Sequence, residues 1–171
     1  MKFDVIIGNP PYQMSDGGGN GASARPIYQL FIQNAKKLSP RYLTMITPSR
    51  WFTGGKGLDD FRDEMLHDER IRTIVDFPIS SECFPGVEIK GGVCYFLWDR
   101  DSKGDCEIKT MRNNEVSTMR RPLLEKGCDT FIRYNNAISI LRKVQAFKEP
   151  TMNTQVSSQK PFGFRTFVKG K

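Results

Sequence analysis

The chain has 171 residues, enough for one ordinary folded domain and too few for two comfortable ones. Lysine and arginine exceed aspartate and glutamate by 26 − 19 = 7, and this basic balance favours contact with a polyanion such as nucleic acid. The four cysteines form no Cys-x-x-Cys pair and the single histidine has no partner at metal-ligand spacing, which argues against a zinc site. With no signal peptide and no apolar stretch near the roughly 20 residues that span a bilayer, we expect a cytoplasmic protein whose reduced cysteines are small core residues.

Strand-like and helix-like segments alternate along the first half of the chain. Apolar runs with β-branched residues predict a buried strand at residues 3–7 and further strands at 41–47 and 71–77. Between them, one amphipathic segment predicts a helix from about Pro26 whose apolar face comprises Ile27, Leu30, Phe31, Ala35 and Leu38. A second predicts a helix with four inward-facing residues, namely Leu58, Phe61, Met65 and Leu66.

This order of elements predicts an α/β fold, with a parallel sheet flanked by helices. Residues 93–98 and 106–111 add two strands separated by a turn-rich segment, and we expect these two to pair as an antiparallel edge hairpin. Beyond Thr110 the pattern weakens into an irregular basic stretch, followed by one helix from about Asn136 to Phe147. The last 21 residues, from 151 to 171, show no period.

The sequence "GNPPY", from Gly8 to Tyr12, follows the first predicted strand at once. In an open α/β sheet the ligand site lies at the carboxyl ends of the strands, which is where this segment stands. Gly8 allows close approach to the backbone, whereas Pro10 and Pro11 fix φ and hold the preceding residues extended. The segment is therefore a rigid series of hydrogen-bond acceptors.

The acceptors suit an amino group on a flat ring. The Asn9 side-chain carbonyl and the Pro10 backbone carbonyl can together accept both N–H bonds of an –NH₂ group, and Tyr12 offers a flat face beside them. A base amine is a poor nucleophile because its lone pair is delocalised into the ring. Accepting both protons in a non-planar arrangement favours the tetrahedral nitrogen that attacks, which is electrostatic preorganisation.

"NPPY" after a strand is the motif of amino-methyltransferases that use S-adenosyl-L-methionine. Together with "YLTMITPSRWF", "IRTIVDF" and "FPGVEIKGGVCYFLWDRD", it resembles the gamma-type adenine-N6 DNA methyltransferases of restriction–modification systems over residues 1–100. The resemblance implies a partial Rossmann-like methyltransferase fold, with residues 1–110 as the C-terminal half of the catalytic domain. Residues 111–171 would then be a basic region that begins a target-recognition segment.

The resemblance also implies the roles of individual residues. Asn9 and Pro10 accept hydrogen bonds from a flipped-out adenine, Tyr12 stacks on it, and Pro11 completes the catalytic motif; Asn9 also contacts the methyl donor. Base extrusion is required because the amino nitrogen of a duplex base is paired and stacked. Phe84 fits the position of an aromatic residue on the opposite side of the base, although a core phenylalanine is an equal interpretation.

Basic residues in the predicted loops have two possible roles. Arg25, Arg50, Lys56 and Lys90 should gather at the carboxyl ends of the strands, where DNA phosphates would pass, although each alone is more often a solvated surface charge. The basic residues at 112, 120, 121 and 126 touch DNA or simply face water. The "GGGNGA" stretch at residues 17–22 is not a tight strand-to-helix turn, so we interpret it as a loop rather than a dinucleotide site.

The sequence lacks the strand and glycine-rich turn that bind the donor in such enzymes. We therefore expect the chain to be a fragment that needs a donor-binding half or a restriction subunit, in addition to double-stranded DNA, and to expose an apolar edge on its first strand. A split subunit and an inactive remnant remain open. So do two other functions: methylation of another planar amine, such as a glutamine amide or an RNA base, and a non-catalytic DNA-binding piece.

Overall fold

A computed structural model describes residues 3–14, 24–150, 152, 155 and 156. The glycine-rich stretch at 17–22 and most of residues 151–171 lie outside this range. The chain divides into two compact units, Met1–Ala137 and Ile138–Lys171, and the functional features described below belong to the first. No helix among the described residues is long and apolar enough to cross a membrane.

The described residues form the following elements. The strands are β1 (Val5–Gly8), β2 (Gln13–Met14), β3 (Arg25–Pro26), β4 (Tyr42–Pro48), β5 (Ile71–Phe77), β6 (Val93–Asp99), β7 (Cys106–Arg112) and β8 (Glu115–Arg121). The α-helices are α1 (Tyr28–Lys37), α2 (Asp59–His67) and α3 (Asn135–Ala146), and two short 3₁₀ helices span Ser49–Phe52 and Ser80–Glu82.

Six of the strands form one mixed sheet in the order β1-β4-β6-β5-β7-β8. β1 runs parallel to β4 and β5 runs parallel to β7, whereas β6 lies antiparallel between β4 and β5. The predicted α/β class is confirmed, as a partial Rossmann-like sheet with flanking helices. The predicted pairing of β6 with β7 is wrong, because β6 fills the gap between the two parallel pairs.

The antiparallel edge hairpin instead joins β7 to β8, in a stretch that the sequence predicted to be irregular. Six of the seven residues of β8 are exposed or half-buried, so the strand lacks the apolar alternation that marks a strand with one buried face. Its turn residues Asn113 and Asn114 have φ of 53° and 63°, the left-handed geometry that tight hairpin turns require.

β1 is an edge strand and is not buried as predicted. It pairs only with β4, and Val5 and Ile7 are 50% and 77% exposed. The register aligns Val5 with the exposed Tyr42 of β4, and the half-buried Ile46 of β4 with the exposed Tyr95 of β6. Exposed apolar side chains therefore cross three strands on one face of the sheet, and β1 has a free edge within the described structure, in line with the apolar edge expected from the sequence.

The opposite face of the sheet carries the core. The four predicted inward residues of α2 are all buried there, as predicted. α1 uses a face that differs in part from the predicted one: Ala35 is buried as predicted, together with Tyr28 and Ile32, while Leu30, Phe31 and Leu38 are exposed. The sequence misleads here because α1 has two apolar stripes, and the phenol ring of Tyr28 was not counted in either. Of the four free cysteines, Cys94 and Cys106 are core residues, while Cys83 and Cys128 are half-buried.

A buried carboxylate joins α2 to β6 at the amino-terminal edge of the core. Asp68 accepts hydrogen bonds from Arg70 Nε at 2.7 Å and from Trp98 Nε1 at 2.9 Å, and Lys36 Nζ lies 2.9 Å from its Oδ2. Burial of the Asp68 carboxyl opposes its ionisation, but these partners outweigh burial and hold its pKa well below the ordinary value. The carboxylate is thus fixed in its charged form.

Acidification should remove this stabilisation. Because the pKa of Asp68 is lower in the folded state than in the unfolded chain, its contribution is complete above about pH 4 and falls as the pH drops towards the folded-state pKa. Asp68→Asn should lower the free energy of unfolding at pH 7 by roughly 1.5–3 kcal/mol and flatten its dependence on pH below 4. Urea unfolding of both proteins between pH 2.5 and 7 measures this, and parallel pH curves for the two would contradict it.

Candidate active site

The carboxyl ends of the parallel strands meet at one edge of the sheet. Pro48 of β4 and Phe77 of β5 both align with Val93 of β6, and the next residues of β7 lead into its turn with β8. β1 ends at Gly8 on the same side, because it runs parallel to β4. The segment after β1 therefore lies where ligands bind in open α/β sheets, as the sequence predicted.

The four residues after β1 differ in exposure. Asn9 and Pro11 are exposed, Pro10 is buried and Tyr12 is half-buried. The Asn9 side-chain amide forms no hydrogen bond with another described residue. The Tyr12 carbonyl accepts a hydrogen bond from Ile27 N at 3.2 Å, which ties the segment to the start of α1. The amide of Asn9 is thus presented to solvent by a backbone anchored on both sides.

Tyr12 lines a pocket of about 490 Å³, which we call the Tyr12 pocket. Three of the predicted substrate residues, Tyr12, Arg50 and Lys90, come together in its wall. The other residues of the wall come from β2, β3 and the start of α1, from the end of β4 and from the loop before β6, namely Gln13, Pro26, Tyr28, Pro48, Glu88 and Ile89. Its volume lies within the range of small-molecule and cofactor pockets.

Other predicted site residues lie outside this wall. Phe84 is half-buried in the turn after Ser80–Glu82, where its N–H donates to Ser80 O at 2.8 Å, and it does not line the pocket. Arg25 is exposed on β3, next to Pro26 of the wall. At Gly8 an added Cβ would meet only the Met45 side chain, at an ordinary 3.6 Å, so packing in the described structure does not require glycine there.

Asp76, at the end of β5, is fully buried and connects the elements around the pocket. Ser49 Oγ donates to Asp76 Oδ1 at 2.7 Å, while Arg133 donates from Nε to Oδ2 at 2.5 Å and from Nη2 to Oδ1 at 2.7 Å. Burial lowers the pKa of the Arg133 guanidinium, whereas its hydrogen bonds to Asp76 and the charge of Asp76 raise it. The second effect is larger, so the pKa is raised overall. Ser49 lies between Pro48 and Arg50 of the pocket wall, so this ion pair fixes that part of the wall.

The loop before β6 is fixed from two sides. Ser80 Oγ donates to Val87 O at 2.9 Å and accepts from Ile89 N at 2.7 Å. Gly92 accepts from Ser49 N at 3.0 Å, which joins this loop to the end of β4. The backbone approaches so closely here that a Cβ on Gly92 would lie 2.1 Å from Phe77 O. Glu88 to Lys90 are thus held against the Pro48–Arg50 segment by backbone contacts.

The phenol and the thiols near the pocket are poor bases and nucleophiles at neutral pH. Burial raises the pKa of the Tyr12 phenol, and its hydroxyl is buried without a hydrogen-bond partner in the described structure. Burial, together with the negative charge of Asp76, raises the pKa of the Cys94 thiol to about 12. Burial also raises the pKa of Cys83. At neutral pH these groups are protonated, so the site favours binding and orientation over covalent catalysis.

Sequence reasoning missed Asp76, Arg133 and Tyr28. An aspartate inside the apolar run "IVDF" signals a buried acid that needs a partner, but its partner lies 57 residues away and nothing local identifies it.

The basic stretch at 112–126 contains residues of different kinds. Arg121 is 1% exposed and bonds to Asn135 and Ile132, so it neither faces water nor is free to touch DNA.

The sequence was compared with known protein families and with individual proteins. The model of the Eco57I restriction-modification methylases matches residues 1–84, from β1 through β5 and the Asn9–Tyr12 segment. Residues 1–84 are thus similar to this family. An uncharacterized adenine-specific methylase of Mycoplasma pneumoniae is 42% identical over 130 residues, which is 72% of this chain and 31% of that protein.

Two solved structures resemble this chain more distantly. One comes from work on assembly and conformational transition of a type I restriction–modification system; it is 19% identical, with a TM-score of 0.47, over 85% of this chain and 30% of the other. The second is a type I methyltransferase subunit from Streptococcus thermophilus, 12% identical with a TM-score of 0.43, over 88% and 33%. The chain spans about a third of the length of the relatives it matches.

Substitution of two glycines separates backbone strain from close packing. Gly86 and Gly92 have similar φ of 78° and 83°, but a Cβ at Gly86 would meet nothing within 4 Å. Gly86→Ala should therefore cost only the left-handed backbone penalty, about 1–2 kcal/mol. Gly92→Ala should cost clearly more, since Phe77 O must move and the Ser49–Gly92 bond is lost. Chemical denaturation measures both, and equal losses would show that the approach at Gly92 is not fixed.

Proposed function

We propose that the chain is the target-base part of a DNA adenine-N6 methyltransferase from a restriction–modification system. The observation that carries this proposal is the exposed amide of Asn9 at the carboxyl end of β1, which bonds to none of the described residues and is followed within three residues by Tyr12 in the pocket wall. The similarity of residues 1–84 to the methylase family and the identity to an adenine-specific methylase support it. Because the chain spans about a third of these relatives, the activity is proposed for the whole protein.

The proposed role of Asn9 and Pro10 is to orient the target amine. The Asn9 amide oxygen and the Pro10 carbonyl accept the two N–H bonds of the adenine amino group. With both protons directed away from the ring plane, the nitrogen lone pair is released from conjugation and can attack a methyl group in line. The protonated phenol of Tyr12 does not take part in proton transfer, since its pKa is raised by burial. Asn9 and Pro10 thus act by preorganised electrostatics.

The proposed role of Tyr12 is to hold the base. The adenine must leave the duplex to reach Asn9, and stacking on Tyr12 offsets part of the cost of unpairing. Arg50 and Lys90 place two positive charges in the same wall, beside the negative charge of Glu88. The arrangement suits a nucleotide whose base enters the pocket and whose phosphate stays at the rim. Two further contacts with the substrate remain proposals. Phe84 would contact the far side of the flipped base, and Arg25 would contact the DNA backbone.

The methyl donor of such an enzyme is S-adenosyl-L-methionine, which supplies an electrophilic methyl group when bound. The residues in this chain fit its reactive end, because the exposed Asn9 amide and the room beside Gly8 lie where β1 ends. Gly8 and Asn9 would line that end of the donor site. The rest of the site would be built by residues beside the free edge of β1.

Substitutions at Asn9 and Tyr12 test the proposal. Asn9→Ala in the protein as isolated from its source cells should lower methyl transfer to unmethylated DNA by about 10²–10³-fold, the loss typical of one preorganised group, with DNA affinity preserved. Tyr12→Phe should keep activity because the Tyr12 hydroxyl has no partner, whereas Tyr12→Ala should weaken DNA binding by ~1–3 kcal/mol of stacking. The measurement is incorporation of a tritiated methyl group together with DNA affinity.

Several results would contradict the proposal. Full activity of Asn9→Ala would show that methyl transfer does not need Asn9, the residue on which the proposal depends. Methylation of RNA or of a protein amide, with DNA left unmodified, would replace it by a methyltransferase of another planar amine. Binding of DNA with no affinity for the donor would leave a non-catalytic DNA-binding protein.

We further propose that a donor-binding half, in the same polypeptide or in a partner chain, covers the exposed sheet face. Val5, Ile7, Tyr95 and Leu97 are between 37% and 77% exposed on this face, and no second described strand pairs with β1. Sheets with parallel strands are normally covered by helices on both faces. The Mycoplasma pneumoniae relative is about three times as long as the segment that it shares with this chain, which provides enough residues for such a half.

Native mass spectrometry of the protein from its source cells tests this partner. We expect a longer chain or a complex, whereas a stable lone species of 19.6 kDa would contradict the proposal. Ile7→Lys should destabilise the native assembly, because it would place a charge in the covered interface. Leu30→Lys, at an exposed site on α1, should change stability by only about 0.5 kcal/mol or less and serves as the control. Equal melting temperatures for the two variants would also contradict covering of this face.

A further inference from the structure

A second pocket opens at the same edge of the sheet, between the β7–β8 turn and the segment that leads into α3. It has a volume of about 330 Å³, and Arg112, Asn113, Ser117, Tyr134 and Asn136 are among its lining residues. We call it the Arg112 pocket. Arg112 ends β7, which runs parallel to β5, so the pocket lies at the carboxyl edge that also carries the Tyr12 pocket.

Tyr134 is held in the wall by buried contacts on both of its neighbours. Arg133 forms the two-bond ion pair with Asp76. Asn135, 4% exposed, donates from Nδ2 to Ile108 O at 3.1 Å and to Ser117 O at 3.2 Å. Despite these anchors the Tyr134 side chain is 40% exposed. An aromatic ring fixed in this way is an ordered surface rather than a mobile one.

Arg112 lies over this ring, with its guanidinium carbon 5.7 Å from the ring centroid of Tyr134. That distance allows a cation–π contact, which orients the planar guanidinium. The N–H groups of the guanidinium are still able to donate hydrogen bonds. Glu115 is its cross-strand partner and lines the pocket too, yet Arg112 forms no ion pair with any described residue. Arg112 therefore keeps its charge and its donors available.

The rim of the pocket is fixed as well. Asn113 N donates to Glu82 Oε1 at 2.7 Å, which links the β7–β8 turn to the 3₁₀ helix Ser80–Glu82. The pocket thus combines one oriented guanidinium with amide and hydroxyl groups on an ordered frame.

We propose that the Arg112 pocket binds a phosphodiester of DNA. This rests on the proposed function, since a duplex with its target adenine at Asn9 must lie along the carboxyl edge of the sheet. Arg112 would donate its N–H bonds to the phosphate oxygens while stacked on Tyr134, and the side chains of Asn113 and Ser117 lie close enough to the same space to add donors. Such a contact fixes the register of the duplex and carries no sequence information.

The salt dependence of DNA binding tests the contact. A mixed-sequence duplex is titrated with the protein as isolated from its source cells at several salt concentrations. Arg112→Ala should weaken binding by about tenfold at low salt and reduce the slope of log K against log salt by about 0.9, the loss of one phosphate contact. Arg112→Lys keeps the charge and should restore the slope. Tyr134→Ala should weaken binding with a smaller change of slope, because Arg112 remains but is no longer oriented.

Arg120→Ala is the matched control. Arg120 is exposed on the same hairpin, but it pairs with Glu107 at the opposite end and donates to Asp105 O at 3.5 Å. Its removal should leave the slope unchanged. If Arg112→Ala and Arg120→Ala have the same slope as the parent, or if both slopes fall equally, the Arg112 pocket is not the phosphate site.

Failure of the proposed phosphate site can be distinguished from failure of the proposed function. A parent protein that methylates DNA while Arg112→Ala binds it normally overturns only the phosphate site. A parent protein that neither binds nor methylates DNA overturns both proposals. Competition by inorganic phosphate at the same salt concentration should be weak, because one site for a phosphodiester gains most of its affinity from the rest of the duplex; strong competition would make the pocket a site for free phosphate instead.

Discussion

The buried carboxylate of Asp76 is the constraint on which both pockets depend. A charge with no exposed surface is tolerated only when it is paired and hydrogen-bonded. Here Arg133 supplies the opposite charge and Ser49 donates a further hydrogen bond. Ser49 carries the constraint to the Pro48–Arg50 wall of the Tyr12 pocket. Arg133 carries it to Tyr134 in the Arg112 pocket. Two sites formed by segments far apart in sequence are therefore held by a single side chain at the end of β5.

Much of the fold follows from local sequence patterns. Apolar runs placed five strands close to their observed limits, and the apolar spacing of α2 identified its buried face, because these signals depend on neighbouring residues. The pairing of strands does not. β6 and β7 are consecutive in sequence but do not pair, since β6 lies between β4 and β5. For α1, two apolar stripes were present, and only the packing of Tyr28 against Phe61, with ring centroids 6.1 Å apart, decides between them.

The candidate site divides in the same way. "NPPY" was visible because its residues are consecutive and each restricts the backbone or supplies an acceptor. The gathering of Tyr12, Arg50 and Lys90 was predictable from their place after strands, since parallel strands end at one edge. The Asp76–Arg133 pair and the Arg112–Tyr134 stack were not, because each joins residues separated by long stretches of chain. The exposed face of β1 shows a further limit of prediction from sequence. An apolar strand indicates burial, but the sequence of the strand does not identify the residues that cover it.

The central position of β6 has a consequence for where a folding unit can be cut. The family match ends at residue 84, before β6 begins. A polypeptide that stopped there would contain β4 and β5 with no strand to join them, since within the described sheet each meets the other only through β6. The end of the family match therefore lies inside the sheet and is not the limit of a folding unit. Expression limits, domain swaps and circular permutants of such proteins should follow the strand order rather than the limits of sequence similarity.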